Sequence, residues 1–450
     1  MRGSGYYEEF RSKNKLQKFG LSNLVLPDGT ELKKTDFVRQ KGITQDTYGM
    51  TWHAQYQSDR WDFISGFLFQ NFEANHWGYL TYAAHPVLSE MLGSKYKYYD
   101  SGADKCDENL FGKATYHLTR SWDAFAEVQY RHVCFSTGGI NDKFYSEGNA
   151  YYNQPLDIYK KYDFVNPKAG ISFHRHSHKA YLSYALSHRE PERNNFTDNG
   201  SYPAPRAESL HDVELGYGYE TSLWHAGVNL YGMYYRNQFV QTGQLSDIGE
   251  NLTTNVRESY RLGIELTAGV SPTRWLTLDA NAALSRNRIT DFDEVIETYD
   301  DDWNDLLPTT RHYDNSELAF SPSVLLNGFA DFHVKGFHAL WHTGFVSRQY
   351  LDNTECKARS LPKFSRTDIY LDYDWHVSKR LASWMPTTHG LKHMIFGLML
   401  GNIFNRHYAS SGWVYSSIVG EAYPETNRYY QIGYVPMAGF TMMGNVTLRF

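Results

Sequence analysis

A chain of 450 residues ordinarily divides into two or three soluble domains, yet 36 Tyr, 26 Phe and 11 Trp sit in a sequence whose mean hydropathy is only -0.57. Aromatic and polar residues are therefore finely interleaved, and no apolar run approaches the roughly 20 residues of a membrane helix, which leaves a β-barrel as the one way across a bilayer. A net charge of -6 without a basic stripe argues against nucleic acid as a partner, and Cys106, Cys134 and Cys356 are too few and too scattered for a disulfide framework or a CxxC zinc site.

Period-two alternation is the signal for strands. Residues 1–44 read as a long polar lead-in with a turn signal at Pro27-Asp28-Gly29. The opening, Met1-Arg2-Gly3-Ser4-Gly5, lacks the basic and apolar regions of a signal peptide, so the chain is expected to start midway through a longer protein. Strands are expected over 45–57 and 61–72, followed by a long connection over 73–108. Strands over 109–119 and 121–135 meet at a tight turn, and a loop covers 136–162. Strands over 163–175 and 179–188 turn at His176-Ser177-His178, and a loop covers 189–206. The pairs 207–220 with 223–241 and 255–270 with 274–289 come next, the second turning at Ser271-Pro272-Thr273 and leading into an acidic loop over 290–316. Strands over 317–334 and 337–352 turn at Lys335-Gly336, strands over 366–377 and 392–404 share a longer turn, and a loop over 405–432 precedes the closing strand, 439–450. That makes about fifteen strands.

Short turns and long loops alternate, which places the turns at one end of the strands and the loops at the other. In transmembrane barrels the tight turns are periplasmic and the long loops extracellular. The faces agree: Val213, Leu215, Tyr217 and Tyr219 stand against Asp212, Glu214, Gly216 and Gly218. Likewise Tyr260, Leu262, Ile264 and Leu266 stand against Arg261, Gly263, Glu265 and Thr267. The closing stretch GFTMMGNVTLRF puts Phe440, Met442, Val446, Leu448 and the terminal Phe450 on one parity. A soluble β array also alternates, but it has no reason to gather every long loop at one end.

Chemistry is sparse. His174, His176 and His178 are spaced for a metal on one strand face, but a tight turn explains a hydrophilic cluster equally well. The acidic run Asp291, Asp293, Glu294, Glu297, Asp300, Asp301, Asp302 and Asp305 has carboxylates for calcium without the EF-hand spacing, and reads as a solvated loop. No GxSxG, HExxH or Ser-x-x-Lys context marks a catalytic centre, so no catalytic residue, metal or cofactor is expected. The loop aromatics Trp77, Trp303, Trp413 and Tyr415 either form a ligand platform or stiffen the loops.

Several stretches resemble TonB-dependent outer-membrane receptors, especially those of Bacteroidetes-type bacteria: GNIFNRHYASSGW (401–413), SHREPERNNF (187–196), SLHDVELGY (209–217), VSRQYLDNT (346–354), GSGYYEEF (3–10) and the terminal Phe450 strand. The resemblance covers essentially the whole chain. It implies an all-β transmembrane antiparallel barrel, of which residues 1–450 supply about fifteen of some 22 strands and no plug. In that reading 1–44 is an extracellular loop region and 45–450 holds membrane strands, short periplasmic turns and long extracellular loops. It further implies uptake of a scarce small-molecule nutrient through the bacterial outer membrane, most of all a ferric siderophore. Lipid surrounds the wall, and the TonB complex engages through a plug segment absent from this chain. Haem, cobalamin or oligosaccharide uptake are alternatives within the architecture; a passive porin or an outer-membrane enzyme are alternatives from other classes.

Overall fold

The computed structural model is all-β with short helical turns and describes residues 2–147, 150–199, 202–245, 251–376 and 391–450. It divides into two compact units, one of residues 1–115 with 127–167 and one of residues 116–126 with 168–450.

The first unit carries β1 (Arg2–Lys15), β2 (Leu24–Val25), β3 (Glu31–Leu32), β4 (Lys34–Gln57), β5 (Trp61–Ala83), α1 (Pro86–Leu92), β6 (Tyr96–His117), β7 (Trp122–Glu147) and most of β8 (Ala150–Arg175). The turn between β6 and β7 and the end of β8 belong to the second unit. Residues 1–44 are more ordered than a polar lead-in: β1 pairs antiparallel with β4, from Arg2↔Asp46 to Lys15↔Lys34. Leu16, Phe19 and Phe37 from this region are buried with Leu80, Leu88 and Tyr98. These apolar residues stand singly among polar ones with no period, which is why the stretch reads as loop. The Pro27-Asp28-Gly29 signal is a real turn: Leu24 pairs with Leu32, Thr30 N–H donates to the Asp28 carboxylate at 2.9 Å, and Gly29 has φ +80°. The expected connections over 73–108 and 136–162 are also largely strand, since β5 runs on to Ala83 and β6, β7 and β8 extend into them. Backbone pairing continues there after the side chains stop alternating.

The second unit continues with β9 (His178–Arg189), α2 (Arg193–Thr197), β10 (Glu208–Glu220), β11 (Trp224–Leu245), β12 (Asn251–Thr273), β13 (Leu276–Tyr299), β14 (Thr309–Glu317), β15 (Val324–Val334) and β16 (Phe337–Val346). It ends with β17 (Gln349–Tyr350), β18 (Ser360–Leu361), β19 (Phe364–His376), β20 (His393–Gly401), β21 (Ala409–Val419), β22 (Tyr429–Pro436) and β23 (Thr441–Arg449). The strand expected over 317–334 is only β15, while β14 forms within the stretch expected as an acidic loop over 290–316. Both pair with β13, and between them Ala319 N–H and Phe320 N–H bond to Asn353 and Tyr350 instead of continuing a ladder. The loop expected over 405–432 is mostly the β21–β22 hairpin. Val377 and most of the longer turn before Lys392 lie outside the described residues.

Register joins the alternating strands into one apolar face. Leu215 lies opposite Leu230, Leu230 opposite Ile264, Ile264 opposite Leu284 and Leu284 opposite Val324. The row beside it runs from Ala330 through Trp341, Ile369 and Leu400 to Met442 on β23. These side chains stand open: Leu215 is 48% exposed, Leu262 51% and Val446 58%. The opposite face is polar, with Asn229 opposite Glu265, Asn281 opposite Asn327, and Gly397 opposite Asp372 on one side and Asn445 on the other.

The stretch 401–413 owes its composition to the link between β20 and the closing strand. Asn402 and Asn405 both adopt the left-handed conformation, at φ +51° and +49°, which asparagine tolerates better than most residues. Asn402 Nδ2 donates to the Arg406 and Ala438 carbonyls, and Asn405 Oδ1 accepts from Phe440 N–H.

Candidate functional site

The chemistry of the second unit gathers where β11, β12 and β13 run past the alternating section. Here Val240, Val256, Ile289, Phe292 and Leu318 bury into a core of their own. On β13 the even residues Phe292, Glu294 and Ile296 point into that layer, while Asp291 and Asp293 lie on the other face.

Glu294 anchors a buried charge cluster. Arg428 Nη1 donates to Glu294 Oε1 at 2.8 Å, and Tyr313 OH donates to Glu294 Oε2 at 2.9 Å. Arg359 Nε lies 3.0 Å from Asp352 Oδ2, and its Nη1 lies 3.7 Å from Glu294 Oε1 and donates to Ser416 Oγ at 3.2 Å. Thr354 ties in as well: it accepts from Arg359 Nη2 at 2.6 Å and donates to Asp352 Oδ1 at 2.6 Å. Two guanidinium groups thus balance two carboxylates that would otherwise be expensive to bury, although Arg359 Nε meets Asp352 as an ion pair without a hydrogen bond. Burial and then the Glu294 carboxylate push the Tyr313 hydroxyl above its ordinary value, so it serves as a donor. Asn353, fully buried, joins the cluster to the strands by donating to the Gln241 carbonyl. The cluster ties together β11, β13, β14, the 352–359 segment, β21 and the approach to β22.

Beside it stands an aromatic group. The Trp303 ring lies 5.6 Å from Tyr299 and 5.4 Å, edge-on, from Tyr429, which in turn lies 5.4 Å from Tyr423. Tyr415 OH donates to Tyr299 OH at 3.1 Å, and Tyr299 OH donates to Glu297. Two of the four loop aromatics expected from sequence, Trp303 and Tyr415, are therefore brought together through Tyr299 and Tyr429. Trp413 sits on β21 two residues from Tyr415 but covers Gly433, where a Cβ would collide with its indole. Trp77, in the first unit, covers Gly42 and neighbours Tyr79 and Lys95. Packing thus occupies Trp77 and Trp413, whereas Trp303 remains 49% exposed.

The acidic run is divided among separate tasks. Asp300 closes a turn by accepting from Asp302 N–H and from Asn304, and Asp301 accepts from Glu421 N–H at 2.9 Å. Asp291 and Asp293 instead share His312 of β14. Nδ1 of that ring is 2.9 Å from Asp293 and 3.4 Å from Asp291, and Nε2 is 3.1 Å from Asp314. Hydrogen bonds to Asp293 and Asp314 raise the His312 pKa above its ordinary value. Among the described residues Asp291, Asp293 and His312 are the group of compact ligand geometry. The three histidines of the 174–178 turn do not converge: His174 faces Asp123, whereas His178 bonds to the Tyr217 hydroxyl and packs on Tyr219.

On the polar face, near the turns, a cavity of about 500 Å³ is lined by His174, Lys179, Tyr181, Asn229, Glu265 and the glycines 216, 218 and 227. A Cβ on Gly216 would lie 2.1 Å from the Tyr181 ring, so glycine there lets the ring lie flat and reach Asn229 and Glu214 with its hydroxyl. The sequence reading missed this cavity as well as the roles of Glu294, Arg359 and Arg428. The polar run Asp352-Asn353-Thr354 beside apolar Leu351 is the local signal that a buried polar group was due.

A family model described as TonB dependent receptor-like, beta-barrel matches residues 1–388. No curated protein matches the sequence. Among solved structures, the copper transporter OprC is 13% identical at a TM-score of 0.64, covering 91% of this chain and 57% of that one. The ferric yersiniabactin uptake receptor FyuA from Yersinia pestis is 14% identical at 0.58, covering 93% of this chain and 57% of that one. The siderophore receptor PiuA from Acinetobacter baumannii is 14% identical at 0.59, with 92% and 56% covered. The chain therefore spans a little over half the length of the receptors whose fold it shares, and it belongs to the TonB-dependent receptor β-barrel family.

Proposed function

We propose that this chain forms the wall and the capture surface of an outer-membrane receptor that takes up a scarce nutrient with energy from the TonB complex. The observation that carries the reading is the unbroken apolar face from β10 to β23 set against a polar face. Exposed to water, such a face would forfeit about 25 cal/mol for every Å² of apolar surface, and lipid removes that cost. The polar face then lines the passage, the tight turns are periplasmic, and the charge cluster and aromatic group stand on the extracellular side. A plug segment outside this chain carries the contact to TonB.

The nutrient proposed is a ferric siderophore. Of the receptors that share the fold, PiuA is described as a siderophore receptor and FyuA as a ferric yersiniabactin uptake receptor. An exposed indole beside tyrosine hydroxyls also suits a ligand that is flat, aromatic and rich in acceptors. The chain's role is binding and passage, without covalent chemistry. Uptake of iron-loaded siderophore by cells carrying the receptor is the test: it should stop when the TonB system is deleted. Conductance that persists without an energy source would favour a passive porin and overturn the reading.

A further inference from the structure

The first unit holds a group of side chains that plays no part in uptake. On β7, His132 Nε2 lies 3.1 Å from the Cys134 Sγ, and the other ring nitrogen, Nδ1, lies 2.7 Å from Asp163 Oδ1 on β8. The Tyr130 hydroxyl donates to the same carboxylate oxygen at 2.6 Å. Cys134 is a free thiol, as are Cys106 and Cys356.

The period of the strands brings these side chains together. On β7 the even residues Val128, Tyr130, His132 and Cys134 share a face, and on β8 so do Tyr159, Lys161, Asp163 and Val165. Val128, Tyr130, Tyr159 and Val165 are exposed, whereas Val133, Phe135 and Phe164, which point the other way, are buried. The group therefore stands on an open face, with His132 and Cys134 only half-buried.

Thiol, imidazole and carboxylate stand each within hydrogen-bond reach of the next, the order of contacts by which a nucleophile is activated by a base and the base is oriented by a third group. A carboxylate only accepts, so Nδ1–H donates to Asp163, and the Nε2 lone pair is left facing the thiol. The thiol proton thus has an acceptor, and the thiolate it leaves faces an imidazolium that Asp163 stabilises. Lys161 adds a second positive charge within electrostatic reach of Cys134. Cys106 on β6, also within reach, faces a carboxylate instead, its Sγ lying 3.9 Å from Glu108 Oε1. We propose that Cys134 is a modification site, a thiol activated by His132 with Asp163 positioning the ring, which adds to small α,β-unsaturated carbonyl compounds. In that step the thiol proton passes to His132 Nε2, the sulfur bonds to the β-carbon, and the C=C π pair moves onto the carbonyl as an enolate. The imidazolium then returns the proton to the α-carbon, so no group leaves and no oxidant is consumed.

Acrylamide, an α,β-unsaturated amide, is the probe, with peptide mass spectrometry reporting adduct formation at each cysteine of the full, reduced chain. The ratio of each rate at about pH 7 to that at about pH 10, where a thiol ionises unaided, cancels differences in access. A free thiol is only slightly ionised at about pH 7, so the ratio should be about tenfold larger for Cys134 than for Cys106 and Cys356. This comparison needs no variant to fold. His132→Gln should bring the Cys134 ratio down to that of the other two while leaving its rate at about pH 10 unchanged, which separates lost activation from lost structure. Asp163→Asn should give an intermediate ratio, with the Cys134 pH profile moved to higher pH. Equal ratios at all three thiols would overturn the proposal. So would a Cys134 ratio that His132→Gln leaves unchanged.

Discussion

Two parts of the second unit are built from the same strands and held in opposite ways. Along β10 to β23 the alternating section turns its apolar side chains outward and keeps polar ones on the other face. Further along β11 to β14 the apolar residues turn inward, forming the core around Phe292 and enclosing the charge cluster of Glu294, Arg359, Arg428 and Asp352. The first arrangement depends on what surrounds the protein; the second is stabilised by the protein's own interior. The same substitution should therefore act differently in the two parts.

The largest effect is expected in the charge cluster. Arg359→Met leaves Asp352 and Glu294 buried without their shared guanidinium, and should cost about 3–5 kcal/mol. Denaturant unfolding read by protease cleavage within 349–361 measures it, and Arg359→Met with Asp352→Leu should recover much of the loss. Charge on the apolar face comes next: Ile264→Arg should cost about 2–4 kcal/mol in a bilayer, whereas Glu265→Arg, one residue on and facing the other way, should cost far less. Equal costs in urea titrations of lipid-reconstituted protein would erase the distinction between the two faces. Tyr415→Phe removes one neutral hydrogen bond to Tyr299 and should cost about 0.5–1.5 kcal/mol, seen as a small shift in the same cleavage curve.

The smallest effect is a pH dependence at His312. Because Asp293 and Asp314 raise its pKa, the charged ring favours the folded hairpin below the ordinary histidine range, and this contribution is lost as pH rises through the raised value. A proton NMR titration of the His312 ring should place its midpoint above the ordinary value of 6.5, and Asp293→Asn should lower it.

The alternating section was legible in the sequence because two unlike surroundings impose a strict period of two on every strand; Leu262, Ile264 and Leu266 against Gly263, Glu265 and Thr267 need no further information. The layer beyond was not legible. Strand pairing persists there, as from Phe37↔Ala83 onward in β4 and β5, but with neither face committed to one medium the period disappears and the stretch resembles loop. Leu16 and Phe19 looked incidental because their partners, Leu80 and Tyr98, are far along the chain. Glu294, Arg359 and Arg428 are similarly remote from one another, and a charged residue taken singly reads as solvated. Among the aromatics, sequence could not separate Trp413, fixed over Gly433, from Trp303, which stays open, because the difference lies in what each ring covers.

The central claim is that one face of these strands meets lipid. It can be tested with single cysteines placed in turn at positions 262 to 267, in a background lacking Cys106, Cys134 and Cys356, spin-labelled and reconstituted in vesicles. The account predicts that labels at 262, 264 and 266 are relaxed by oxygen dissolved in the bilayer, and those at 263, 265 and 267 by a water-soluble nickel chelate. Equal access of the chelate to all six positions would contradict it.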